Sequence, residues 1–281
     1  MADGPATPGL PGDAPTVLAP LCADPSRTVL ACDFDGTLAP IVEEPSAARP
    51  LDGTAALLAR LADRFATVAV VSGRPAAFLA DRMSVGPGPG PGPRVELIGL
   101  YGMESVAPDG TVRPDGRVAP WLPVVAETAA RLADGAPDGV LVEAKGPTVA
   151  VHWRQAPHAG PWATARTTEE AARSGLEAHP GRLSVELRPP LDIDKGTVVR
   201  QLTEGRSAAC FLGDDLGDLP AFAELSRRSV EDGLATVGVA VRDAEAAPEV
   251  ADAADLVVEG PEGAFAVLEW LETTTRTAAT R

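Results

Sequence analysis

At 281 residues the chain is long for one small domain and predicts two lobes, with ample length for a buried core. Apolar residues at 45% and charged residues at 23% exclude wholesale disorder. A net charge of -16 without any cluster of Lys and Arg excludes a nucleic-acid partner, and any anionic ligand would need a local cationic pocket against that field. No stretch approaches the about 18 apolar residues of a membrane span, and the first residues lack the basic start and apolar core of an export signal. Cys22, Cys32 and Cys210 have neither zinc-ligand spacing nor the density of a disulfide scaffold, so a cytoplasmic location is expected.

The first 26 residues are rich in Pro, Gly, Ala and Asp and predict a mobile arm over 1–26. RTVLAC (27–32) is a short apolar run that breaks into DFDGT, which reads as a buried strand delivering polar residues at its carboxyl end. A helix is expected over 50–65, a buried strand over 66–71, then Ser72-Gly73-Arg74-Pro75 and a helix over 76–83. The run GPGPGPGP (86–93) reads as a surface loop, since Pro supplies no amide donor and Gly adds entropy. A strand follows at 95–100.

The pattern then changes to helix 121–133, strands 139–143 and 148–154, helix 162–174 and strand 183–187, an α+β lobe set into the first. Alternation resumes with helix 196–202, strand 208–212, strands 236–241 and 255–258, and a closing helix 261–271. The fold class expected is α/β, a Rossmann-like parallel-sheet core over 27–104 and 191–272 interrupted by an α+β cap at 105–190, with a mobile tail at 273–281.

Ligands of open parallel sheets bind beyond the carboxyl ends of the strands. Here Asp33 and Asp35 follow the first strand, Ser72 and Arg74 the second, and Asp214, Asp215 and Asp218 the strand at 208–212, while Lys195 opens a helix. Carboxylates gathered this closely repel unless a cation sits among them, and a hard oxygen-rich set suits Mg2+. Such a crevice suits phosphoryl transfer, in which a metal and an ammonium group offset repulsion between an attacking carboxylate and a phosphate.

These residues resemble the haloacid dehalogenase (HAD) superfamily of phosphotransferases. Asp33-Phe34-Asp35-Gly36-Thr37 is similar to its first motif, Ser72-Gly73-Arg74 to its second, Lys195 to its third, and Gly213-Asp214-Asp215-Leu216-Gly217-Asp218 to its fourth. The resemblance implies Asp33 as nucleophile and Asp35 as general acid and base, with Ser72, Gly73 and Lys195 holding the phosphate. It implies Mg2+ held by Asp33, the backbone carbonyl of Asp35 and Asp214, with Asp215 or Asp218 ordering the metal's surroundings.

A closer resemblance, over 27–272, is to the trehalose-6-phosphate phosphatases. It rests on LAPIVEEP (38–45), GLYGME (99–104), Glu143-Ala144-Lys145 with Val151-His152-Trp153-Arg154, and Glu186-Leu187-Arg188-Pro189. The family pattern carries Thr and Glu where this chain has Gly217 and Leu219. The likeness implies sugar contacts from Glu143, Lys145 and Glu186; His152 and Arg154 are further substrate-binding candidates, and Arg74 either binds substrate or caps the crevice. The likeness also implies a small sugar phosphate as the ligand; a monomer is expected, and charge and hydropathy speak against nucleic acid and membrane. Sucrose 6-phosphate or mannosyl-3-phosphoglycerate as substrate, or a phosphomutase reaction, are the alternatives, since these would share the core residues. His158 and His179 lack metal-ligand spacing and are expected at the surface.

Overall fold

In the computed structural model, residues 10–42, 44–83, 95–181, 183–243 and 247–278 are described, so the Gly-Pro run at 86–93 lies outside the described residues. After a short helix α1 (Ala14–Leu18) the chain enters β1 (Thr28–Cys32), whose five residues are all buried. Val29 and Ala31 point into one apolar cluster, Leu30 and Cys32 into another. Side chains alternate across a strand, so a strand packed on both faces must be apolar throughout.

The chain continues through α2 (Thr54–Ala62), β2 (Thr67–Val71), α3 (Ala76–Arg82), β3 (Val95–Gly99), β4 (Glu104–Val106) and β5 (Val112–Pro114). It passes through α4 (Leu122–Ala133), β6 (Leu141–Ala144), β7 (Val149–His152), α5 (Gly160–Ser174), β8 (Glu177–Gly181) and β9 (Ser184–Arg188). It ends with α6 (Lys195–Leu202), β10 (Ala208–Gly213), α7 (Leu219–Asp232), β11 (Ala235–Arg242), α8 (Pro248–Asp252), β12 (Leu256–Glu259) and α9 (Gly260–Ala278).

Two compact units result, one built from residues up to Arg113 and from Ile193 onward, the other from Pro114 to Asp192. In the first, the sheet order is β12-β11-β10-β1-β2-β3-β4-β5, with the strands from β12 to β3 parallel. One face packs on α1, α2, α3 and α9, the other on α6, α7 and α8. In the second unit, a four-stranded antiparallel sheet in the order β6-β7-β9-β8 buries Val149, Val151, Val185 and Leu187 against α4 and α5. No helix among the described residues is long and apolar enough to cross a membrane.

The structure differs from the sequence expectation at several places. Residues 105–113 extend the first sheet: β4 pairs antiparallel with β3 through Ile98–Ser105 and Gly99–Glu104. The sequence expectation holds no element between the strands at 208–212 and 236–241, yet α7 occupies 219–232 as a parallel crossover requires, with Pro220 in its first turn and left-handed Gly233 closing it. β8 carries Pro180 and Gly181 and is exposed along its length, so β propensity could not reveal it. The expected tail is helical as far as Ala278, with Thr275 buried.

Part of the predicted arm is likewise ordered, because α1 and the turn after it bring Ala14, Leu18 and Leu21 into the core against β10, β11 and α9. The low apolar content of the whole segment hid three well-spaced anchors. Leu18→Ala and Leu21→Ala should each lower the free energy of unfolding by about 2–5 kcal/mol, the usual loss for a fully buried leucine. Urea denaturation checks this; unchanged midpoints for both variants would return the segment to a mobile arm.

Candidate active site

The strand order reverses direction at β1 and β10: the chain leaves β1 to build the sheet on one side and returns through β10 on the other. Such a switch point opens a crevice beyond the carboxyl ends of the two strands. Asp33 stands there, its amide donating to the Leu212 carbonyl at 2.8 Å, and Asp214 follows the end of β10. Residues 34–39 fold back tightly, with the amides of Leu38 and Ala39 both donating to the Phe34 carbonyl at 2.9 Å and that of Gly36 to the Ala39 carbonyl at 2.7 Å. Gly36 has φ +75°, and a Cβ on it would lie 1.9 Å from the Asp214 carboxylate, so only glycine lets this loop lie against Asp214.

The nearly buried ammonium of Lys195 lies 2.8 Å from Asp33 Oδ1 and 2.6 Å from Asp218 Oδ1. Lys195 reaches this place because Asp194 caps α6: its side chain accepts from the Thr197 amide at 2.7 Å while the Asp194 amide donates to Thr197 Oγ1. The second oxygen of Asp218 accepts from the amides of Asp214 at 2.9 Å and Asp215 at 3.1 Å, and Thr37 Oγ1 donates to Asp214 Oδ1 at 3.0 Å. Asp215 instead caps the turn after β10, its Oδ1 accepting from the Gly217 amide at 2.9 Å.

Carboxylate oxygens of Asp33, Asp214 and Asp218 lie within 4.8 Å of one another. Three carboxylates against one ammonium leave about two negative charges, the charge that a divalent cation balances. The electrostatics agree with that deficit. Burial pushes the Asp33 carboxyl well up, opposed by Lys195 and reinforced by Asp218 and Asp214. Burial, then Asp218 and Asp215, push Asp214 up to about 7. Burial alone would push the Lys195 ammonium down, but Asp33 and Asp218 outweigh it and hold it charged. The donor set therefore fits a hard divalent cation, with Asp33 and Asp214 as the available side chains and Asp218 already engaged by hydrogen bonds.

Ser72 follows β2, the strand paired with β1, and is buried. Its Oγ accepts from the Arg74 amide at 3.2 Å, and the loop is held by amides of Leu100 and Tyr101 donating to the Arg74 and Ser72 carbonyls at 2.9 Å. Leu100 and Tyr101 adopt φ 48° and 62°, left-handed values rare for such side chains, and they aim these amides at the loop. The Tyr101 ring leaves no room for a side chain on Gly73. Glu104 accepts from the Ala76 amide at 2.6 Å, tying β4 to the start of α3. Sequence reading assigned no role to Thr37, Tyr101 or Glu104. Thr37 was visible as the last residue of DFDGT, whereas the other two act through contacts only the fold creates.

In the second unit, Glu143, Ala150, Glu186 and His179 form one cross-strand row on the face away from the helices. Glu186 accepts from Lys145 Nζ at 3.4 Å, Thr148 Oγ1 at 2.8 Å, and Arg188 Nε and Nη2 at 2.8 and 2.5 Å. Burial would raise its carboxyl, but Lys145 and Arg188 outweigh that and hold it below the usual range. Glu143 lies 3.2 Å from His152 Nε2 and 3.8 Å from Lys145. Arg154 is exposed, two residues beyond β7 and outside this network. Glu143, Lys145, His152 and Glu186 are thus brought together.

A family model for trehalose-phosphatase matches residues 31–258. The trehalose-phosphate phosphatase of Mycolicibacterium paratuberculosis is 40% identical over 200 residues, covering 68% of this chain and 49% of that protein. That of Mycobacterium tuberculosis is 39% identical over 201 residues with the same coverage. The chain therefore spans about half the length of the curated relatives it matches. Among solved structures, a trehalose-6-phosphate phosphatase related protein superposes with TM-score 0.69 at 23% identity, over 89% of this chain and 99% of that one. The C-terminal domain of the C. albicans trehalose-6-phosphate phosphatase gives 0.67 at 23% identity over 95% and 98%, a likeness of fold. With the family match running from β1 to β12 and taking in the whole crevice, the chain belongs to the trehalose-phosphatase family.

Proposed function

We propose that this chain is a Mg2+-dependent phosphatase that hydrolyses trehalose 6-phosphate to trehalose and phosphate through an aspartyl-phosphate on Asp33. The observation that carries the reading is the buried set of Asp33, Lys195, Asp214 and Asp218 at the sheet's switch point, with about two negative charges in excess. Membership of the trehalose-phosphatase family supports the substrate.

In this reading Asp33 attacks phosphorus, the bond from phosphorus to the sugar oxygen breaks, and Asp35 gives that oxygen a proton. Water then attacks the aspartyl-phosphate and loses its proton to Asp35, the bond from phosphorus to Asp33 breaks, and phosphate leaves. Lys195 holds Asp33 in line and draws charge from the phosphate oxygens, while Ser72 and Gly73 sit where the second loop can donate to them. Asp33, Asp214 and the carbonyl of Asp35 would hold the cation, which when bound supplies positive charge against the repulsion between carboxylate and phosphate. Asp218 positions both Lys195 and the 214–215 amides.

The sugar is assigned to the helix-free face of the second unit. Glu186 is already satisfied by three neighbours, so its task is to anchor Lys145, leaving Glu143, Lys145 and His152 to meet hydroxyls. Another sugar phosphate would keep the core chemistry and change these contacts. A phosphomutase would return the phosphoryl group to a sugar hydroxyl without releasing phosphate.

Phosphate release from a panel of sugar phosphates tests the reading. Trehalose 6-phosphate is expected to be turned over best with Mg2+, and excess chelator and Asp33→Asn should each reduce release to background. Full activity in chelator would remove the metal, and near-normal Asp33→Asn rates would remove the nucleophile.

Lys145→Ala and Glu186→Gln should lower kcat/KM for trehalose 6-phosphate by about 10–100-fold, the worth of a lost charge-assisted hydrogen bond. An aryl phosphate without the sugar should change by less than about threefold, because those bonds are never made to it. Equal losses on both substrates, in variants folded by circular dichroism, would reduce the pair to a structural role.

A further inference from the structure

Arg74 makes a forked contact to Asp35. Its Nε donates to Asp35 Oδ2 at 2.7 Å and its Nη2 to Oδ1 at 2.7 Å, two parallel bonds that set both the position and the plane of the carboxylate. The fork is itself supported. The guanidinium carbon lies 4.9 Å from the Phe78 ring centroid, and Phe78 packs edge-on against fully buried Phe34 at 5.8 Å, the residue between Asp33 and Asp35. The Arg74 backbone is fixed at both ends, its amide to Ser72 Oγ and its carbonyl to the Leu100 amide.

We infer that Arg74 is a positioning residue for the reaction: it aims the Asp35 carboxylate for both proton transfers, and its guanidinium is not a sugar contact. The inference rests on the reading of Asp35 as the acid and base of the proposed phosphatase. Asp35 sits on a six-residue fold-back, 34–39, whose hydrogen bonds hold its backbone and leave the side-chain torsions to be set by a partner. Arg74 is that partner in this structure. A group misplaced by about 1 Å loses about a hundredfold in rate, so one fork can govern turnover without touching phosphorus. The requirement is for two parallel donors, which a lysine ammonium cannot supply in that geometry.

The two half-reactions separate this role from others. With an activated aryl phosphate the departing phenolate needs no proton, so phosphorylation of Asp33 proceeds without help from Asp35. Hydrolysis of the aspartyl-phosphate still requires Asp35 to take a proton from the attacking water. In Arg74→Gln, mixed with p-nitrophenyl phosphate and Mg2+, the covalently phosphorylated fraction should rise above wild type in intact-mass spectra while phosphate release falls about 10–100-fold. Arg74→Lys should lie between the two. For trehalose 6-phosphate, kcat should fall by more than KM changes.

Three results would overturn the inference. One is a rise in KM for the sugar phosphate with aryl-phosphate turnover and phosphorylated fraction at wild-type levels, which makes Arg74 a sugar contact. Another is an equal fall of phosphorylation and hydrolysis in a variant with wild-type urea stability, which makes it a general support of the loop. The third is wild-type protein that neither releases phosphate nor gains mass in an Asp33-dependent way, which removes the phosphatase reading along with the inference. In the first two cases wild-type turnover leaves the phosphatase reading standing.

Discussion

The contact on which the rest depends is the buried ammonium of Lys195, held between Asp33 and Asp218. It joins three segments far apart in sequence: the end of β1, the first turn of α6 and the turn after β10. Removing a partner from such a group leaves an uncompensated charge in a dry place, which costs several kcal/mol, whereas with both partners present the ammonium itself is satisfied. Asp218 carries that constraint outward, because its other oxygen receives the amides of Asp214 and Asp215 and so fixes the loop that presents Asp214. Preorganisation of this kind allows an electrostatic site to act without rearranging when charge develops.

The parallel sheet supplies the rigidity behind it. Both faces of β1 are covered by helices, so the strand is apolar on each side and its register with β10 is set by the buried row Val29, Leu30, Ala31 and Cys32. Cys32 adjoins Asp33 in sequence but points into the core, where burial and then Asp33 push its thiol up to about 12; it is a small apolar filler. The polar residues begin where the strand ends. The left-handed pair Leu100 and Tyr101 and the Glu104 carboxylate brace the Ser72–Arg74 loop from β3 and β4, so the second loop is positioned by backbone as much as by side chains.

The second unit organises charge differently. Its antiparallel sheet is covered on one face only, and the open face carries a row of polar side chains whose centre, Glu186, is bound by Lys145, Thr148 and Arg188. A carboxylate satisfied in this way acts as an anchor. The neighbouring Glu143, about half exposed, has more of its surface free to meet a polar ligand.

Much of this was legible in the sequence by itself. The apolar runs followed at once by DFDGT, SGR and GDDLGD place chemistry after strands, because a strand buried on both faces must be continuous in hydrophobicity and its end is where polar residues can first appear. The α/β class follows from the alternation of periods, and the family likeness from motifs in order. The charges of α7 dilute a helical spacing of Ala221, Phe222 and Leu225 that the sequence does contain, whereas the sequence could not reveal β8, whose residues have no strand preference. Nor could it show that Leu18 and Leu21 anchor the first segment, since average composition conceals a few spaced contacts. Only tertiary structure decided which carboxylates meet. Asp218 closes on Lys195 while Asp215 caps a turn, and Arg74 grips Asp35, because side chains adjacent in sequence diverge at a turn and distances of a few ångströms between remote segments are set by packing.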